Sequence, residues 1–187
     1  MNKRKWGWMS IGLVLLLFVS GCGGKSDGFR IFMMNESTVP SAITQAIEDD
    51  LNKQLAGKFT LTVTTPAMYN LQMLLLQYAA ETNSIAIIPI KDLKNVTKNG
   101  GHIPLDSYFD PAKFPEGVMD GQIEVPGTEK GKSEYVTEQH LFAIPITKMP
   151  LMKKYGVIES YLYAAIPVNT PNVEQSVQVM KMLLEEK

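Results

Sequence analysis

The strongest constraint on this chain is an alternation of two periods between residues 29 and 99. Three runs, 29–34 (FRIFMM), 59–65 (FTLTVTT) and 84–90 (SIAIIPI), are apolar or β-branched. The first and third are apolar at nearly every position, which suits strands buried on both faces of a parallel sheet; the second alternates. Between the first two, Val39, Ile43, Ile47, Leu51 and Leu55 recur every fourth residue, with Pro40 in the first turn and Gly57 after the end. That is one face of an amphipathic helix with its start and stop signals. Residues 68–82 carry Leu71, Leu74, Leu75, Tyr78 and Ala79 and are apolar around much of the girth, the pattern of a well-buried helix. A short helix over 91–99 is stopped by Gly100 and Gly101. The order β-α-β-α-β-α with short loops predicts a parallel sheet with right-handed crossovers.

The rest of the chain is less regular. Residues 102–114 are extended and hold Pro104 and Pro111, and residues 115–139 contain Gly117, Gly121, Pro126, Gly127 and Gly131 with little periodicity. The stretch 103–140 therefore reads as a long irregular excursion. Strands follow at 141–146 (LFAIPI) and 160–168 (SYLYAAIPV), with a helical turn over 150–156 between them. Thr170 is expected to cap a last helix with Pro171 at its first position and Val173, Val177, Met180 and Leu184 on one face. The expectation is one three-layer α/β domain over 29–187, built on a mixed, mainly parallel sheet of about five strands. Strand 141–146 should lie beside strand 85–90, and the last helix should pack on the sheet.

Ahead of this domain stand Lys3, Arg4 and Lys5, an apolar run at 11–19 broken only by Gly12, and then Val19-Ser20-Gly21-Cys22, which holds the sole cysteine. These are the charged, apolar and cleavage regions of a signal peptide at 1–21. The apolar run is about half of the ~20 residues that a membrane span needs. The small-small-Cys ending resembles the bacterial lipobox. The resemblance implies cleavage before Cys22 and a diacylglycerol on its thiol, with residues 22–28 as a lipidated, flexible tether. A thiolate is the one side-chain nucleophile strong enough near neutral pH for that role. At ~0.8 kcal/mol per buried CH₂, two or three acyl chains hold a protein where one does not. The expected location is the outer, extracytoplasmic face of the cell membrane.

Loss of Lys3, Arg4 and Lys5 would lower the 18 lysines and arginines to 15 against 19 acids, a net charge of −4. Nucleic-acid binding wants a basic patch and is not expected. The same balance leaves the lipid, rather than a polybasic segment, as the anchor.

Three places resemble lipoprotein solute-binding proteins of ABC importers. They are the lipobox, tether and first strand; residues 85–106, where a strand, a short helix and a double glycine lead to Ile103-Pro104-Leu105-Asp106; and residues 163–184, where Ala165-Ile166-Pro167-Val168-Asn169 precedes a helix. That family closes two α/β lobes around a solute. Only 26 residues separate Phe114 from Leu141, too few for a second lobe, so the likeness is to one lobe of the type II periplasmic-binding fold. The resemblance implies a binding module for a carbohydrate, a peptide or a transporter-associated ligand, with a permease or other envelope protein as partner. The alternative is a structural lipoprotein presenting its α/β lobe to a membrane complex.

Ligands of open parallel sheets bind beyond the carboxyl ends of the strands. Those ends carry Asn35, Glu36 and Ser37, then Thr65 and Tyr69, then Lys91 and Asp92, and these seven are the candidate ligand-binding residues. Tyr69 offers a ring on which a sugar can stack. His102 and His140 are far apart in sequence, so no metal site is expected. No nucleophile-base spacing stands out, and neither catalytic residues nor a cofactor are expected.

Overall fold

The computed structural model describes residues 28–80, 82–127 and 132–185. The leader, Cys22 and all of the tether except Gly28 lie outside them. The elements in order are β1 (Phe29–Met33), α1 (Ser41–Leu55), β2 (Leu61–Thr64), α2 (Leu71–Ala80), β3 (Ile85–Pro89), α3 (Ile90–Lys98), β4 (Val118–Pro126), β5 (Ser133–Leu141), β6 (Ala143–Pro145), α4 (Pro150–Lys154), β7 (Leu162–Ala165) and α5 (Val173–Leu184).

The fold is α/β, with a mixed five-stranded sheet in the order β2-β1-β3-β7-β6. β1 pairs in parallel with β2 and β3, whereas β7 is antiparallel to both β3 and β6. Four strands thus point one way, although only two of the four pairings are parallel. Period-2 alternation sends successive side chains of β1 and β3 to opposite faces. Ile31, Met33, Ile85 and Ile87 share one core with Ile47 and Leu51 of α1 and Val179 and Met180 of α5. Phe32, Met34, Ala86 and Ile88 share another with Leu74 of α2, Leu93 of α3 and Met119 of β4. Burial on both sides is why the sequence of these strands is continuously apolar.

β2 is an edge strand, and side chains of α1 take up three of its backbone groups. Asn52 of α1 both donates to the Leu61 carbonyl and accepts from the Leu61 N–H at 2.8 Å, and the Glu48 carboxylate accepts from the Val63 N–H at 2.8 Å. A covered edge cannot template pairing with another chain.

Four expectations need correction. Strand 141–146 does not lie beside β3, because β7 inserts between β3 and β6. The 103–140 excursion is not irregular throughout: β4 and β5 form a nine-residue antiparallel ladder from Val118↔Leu141 to Pro126↔Ser133. The Gln122-Ile123-Glu124-Val125 and Tyr135-Val136-Thr137 segments carry the β propensity, which the flanking glycines obscured. Helix α2 is not well buried. Leu74 is its one fully buried residue, and Leu71, Met73, Leu75 and Leu76 are exposed. The last helix starts later than Thr170, since Asn172 is the N-cap and accepts from the Gln175 N–H at 3.0 Å. Pro171 precedes the cap, and Thr170 bonds the Ser176 hydroxyl instead. That helix does pack on the sheet.

Candidate functional site

The carboxyl ends of β1 and β3 bring four of the seven candidates into one contact chain. Lys91, in the first turn of α3, donates to the Glu36 carboxylate at 2.5 Å. The same ammonium stands 4.8 Å from the centre of the Tyr69 ring, and the Tyr69 hydroxyl donates to Asp92 at 2.9 Å. Asp92 is buried, while Lys91 and Glu36 are open to solvent. The Tyr69 phenol is pushed above its ordinary range, first by desolvation and then by its bond to Asp92. The Lys91 ammonium is held up by its bond to Glu36.

The other three candidates stand apart from that chain. Asn35 is buried and fully engaged: its amide donates to Glu159 at 2.7 Å, and its carbonyl oxygen accepts from the Tyr161 hydroxyl at 2.5 Å. The Ser37 N–H turns back onto the same oxygen at 3.3 Å, an Asx turn. Asn35 therefore ties the end of β1 to the segment ahead of β7. The Tyr161 phenol is raised by desolvation and by the charges of Glu159 and Glu36. Thr65 lies in a separate depression with Arg30, Phe32, Met73 and Gln77.

Beside the contact chain, between α2 and α3, runs a groove of about 400 Å³. Its α2 wall is Leu71, Leu74, Leu75 and Tyr78, and its α3 wall is Asp92, Asn95, Val96 and Asn99, with Val168 and Asn169 at one end. The residues from α3 fall at i, i+3, i+4 and i+7, one face of a helix, so that wall was legible in the sequence although it was not read there. The volume falls within the range of ligand sites, and apolar walls with a few convergent polar groups are their common composition.

Under the groove sits a neutral triad. His102 is buried, with Thr97 Oγ1 2.8 Å from Nδ1 and the Tyr78 hydroxyl 2.7 Å from Nε2. Thr97 gives its only hydroxyl proton to the Leu93 carbonyl at 2.8 Å, so it accepts from Nδ1–H. Nε2 is then the acceptor for Tyr78. Burial lowers the His102 pKa to about 3 and pushes the Tyr78 phenol well up. Both groups are uncharged at neutral pH, and the triad fixes α2 to the end of α3.

No family model matches this chain, and no curated protein does. Function must come from the site itself. Among the described residues no three His, Cys, Asp or Glu side chains are grouped to hold a metal ion, and no helix is long and apolar enough to cross a membrane. What the arrangement offers is recognition: an apolar trough, amide groups along its rim and a charged cluster at one end.

Proposed function

We propose that this chain is an extracytoplasmic lipoprotein, anchored to the outer face of the cell membrane through Cys22, whose α/β lobe is a binding module resembling one lobe of a type II solute-binding protein. A mixed sheet with helices on both faces is compatible with that likeness. The observation that carries the binding role is the groove between α2 and α3. Of the ligand classes in view, an extended peptide suits it better than a free sugar. Asn95 and Asn99 carry amides with both donor and acceptor atoms, as a peptide backbone requires, and the Leu71, Leu75, Val96 and Val168 walls take apolar side chains. A peptide on a transporter permease or other envelope partner is one source of such a segment.

Calorimetric titration of the detergent-solubilised protein with short apolar peptides and with oligosaccharides tests the reading. Peptide binding should weaken at least about tenfold in Asn95→Leu/Asn99→Leu, which keeps the wall and removes the amides, equivalent to roughly 1.4 kcal/mol. Sugar binding that ignores those changes would defeat it. The alternative, a structural lipoprotein presenting its lobe to a membrane complex, draws support from the exposed apolar side of α2 and expects neither ligand to bind.

A further inference from the structure

Helix α2 has no polar face. Its sequence, LQMLLLQYAA, contains no charge. Leu74 reaches the core, and Leu71, Leu75 and Tyr78 line the groove. Met73 and Leu76 face away from it, 44% and 60% exposed, with Met68 at 70% just ahead of the helix and Leu71 and Leu75 about half exposed at the groove's rim. Gln72 and Asn70, whose side chain accepts from the Met73 N–H at 3.0 Å, are the exposed polar side chains among them. Contiguous apolar exposure of this kind on one element marks an interaction surface rather than scatter.

Two observations name what covers it. Across the groove, α3 turns Lys91, Lys94 and Lys98 to solvent at i, i+3 and i+7, a single cationic row beside the apolar helix. Glu36 pairs with Lys91, and Asp92 is buried against Tyr69. An apolar ridge flanked by lysines matches the boundary of an anionic bilayer, where acyl chains meet charged headgroups. The second observation is reach. Seven residue steps join Cys22 to Phe29, so even a fully extended tether spans no more than about 25 Å. The chain enters the sheet at Phe29, and the residues after α2 enter it alongside, with the Ser84 N–H donating to the Arg30 carbonyl at 2.8 Å. The C-terminal end of α2 thus lies at the edge of the sheet that the tether holds near the membrane.

We propose that the outward side of α2 and the lysine row of α3 lie against the anionic lipid surface to which Cys22 tethers the chain. The inference rests on the lipid anchor proposed above, but the face is readable without it. It gives the groove a setting, since a trough between these two helices would then open along the bilayer, where a segment of a membrane partner emerges.

The test uses the lipidated full-length protein in vesicles containing about one-third anionic lipid. Both tryptophans, Trp6 and Trp8, precede Cys22, so a processed chain carries only an introduced one. Leu76→Trp and Met73→Trp report the proposed face, and Asp49→Trp, on α1 across the sheet, is the control. Brominated lipid should quench Trp at 76 and 73 several-fold more than Trp at 49, with bluer emission. Adding Lys94→Glu/Lys98→Glu should reduce that quenching, with circular dichroism unchanged. Equal, weak quenching at all three positions in protein that floats with the vesicles would leave the anchor standing and remove the face. A blue shift at 76 without quenching, lost on dilution of protein into lipid, would assign the face to a second copy and overturn the proposal. If the chain carries no lipid, the same variants mixed with the vesicles, after subtraction of Trp6 and Trp8 emission, still decide. Greater quenching at 76 than at 49 keeps the face and removes the anchor, and equal quenching removes both.

Discussion

His102 shows how one buried side chain sets a pH dependence. Its pKa of about 3 in the fold is far below the ordinary value near 6.5. Between those two pH values the unfolded chain binds a proton that the folded chain excludes. Stability is therefore complete above about pH 6.5 and falls as the pH drops toward 3, by up to about 1.4 kcal/mol per unit from this group. Urea midpoints at pH 7 and pH 5 should show the loss. His102→Gln should flatten the slope while lowering stability at both values, because it loosens the bonds to Thr97 and Tyr78. His140, near Asp106 and Glu138, is common to both proteins and cancels in the comparison. An unchanged slope in His102→Gln would refute the assignment. Asn35 illustrates the opposite kind of residue: polar, at the expected edge of the sheet, yet engaged in holding β1 to the segment before β7 rather than open to a ligand.

At the scale of an element, α2 separates composition from burial. Leu74 and Leu76 are the same residue type two positions apart, but Leu74 is fully buried and Leu76 is 60% exposed. Leu74→Ala removes core contacts and should cost about 2–5 kcal/mol. Leu76→Ala removes exposed surface and should stay within about 0.5 kcal/mol of the parent. Denaturant midpoints of the two variants measure the contrast, and equal losses would mean that α2 is seated differently. The β4–β5 hairpin depends on close approach: a Cβ on Gly117 would stand 1.7 Å from the Ala143 carbonyl oxygen, so only a glycine lets the hairpin enter beside β6. That glycine weakened the strand signal and yet makes the element's docking feasible.

At the scale of the described α/β domain, the groove lies between two helices and is open on its outer side. Good small-ligand sites bury 70–90% of the ligand surface, which such a trough does not. A free sugar or amino acid should accordingly bind with a dissociation constant of roughly 0.1–1 mM or weaker, about −4 to −5.5 kcal/mol. Calorimetry against a panel of single sugars and amino acids checks this, and a micromolar ligand of that size would sink the open-trough argument. Tighter binding is reserved for a longer segment that spans the Leu71–Val96 trough, or for a partner that covers it.

Local order was legible in the sequence because period is a one-dimensional property. The every-fourth apolar residues of α1, the continuous runs of β1 and β3 and the glycine stop after α3 all report on neighbours within a few positions. They were enough for an α/β chain with helices on both sides of the sheet. The four-residue wall of Asp92, Asn95, Val96 and Asn99 was equally available, since i+3 and i+4 spacing needs no partner to define a face. The remainder depended on pairings between distant residues, which no local pattern encodes. The place of β7 between β3 and β6 is one, and the capture of Asn35 by Glu159 and Tyr161, 124 and 126 residues away, is another. The exposure of α2 is a third: its residues are apolar enough to be buried, and only the packing of the whole chain leaves one side without a cover.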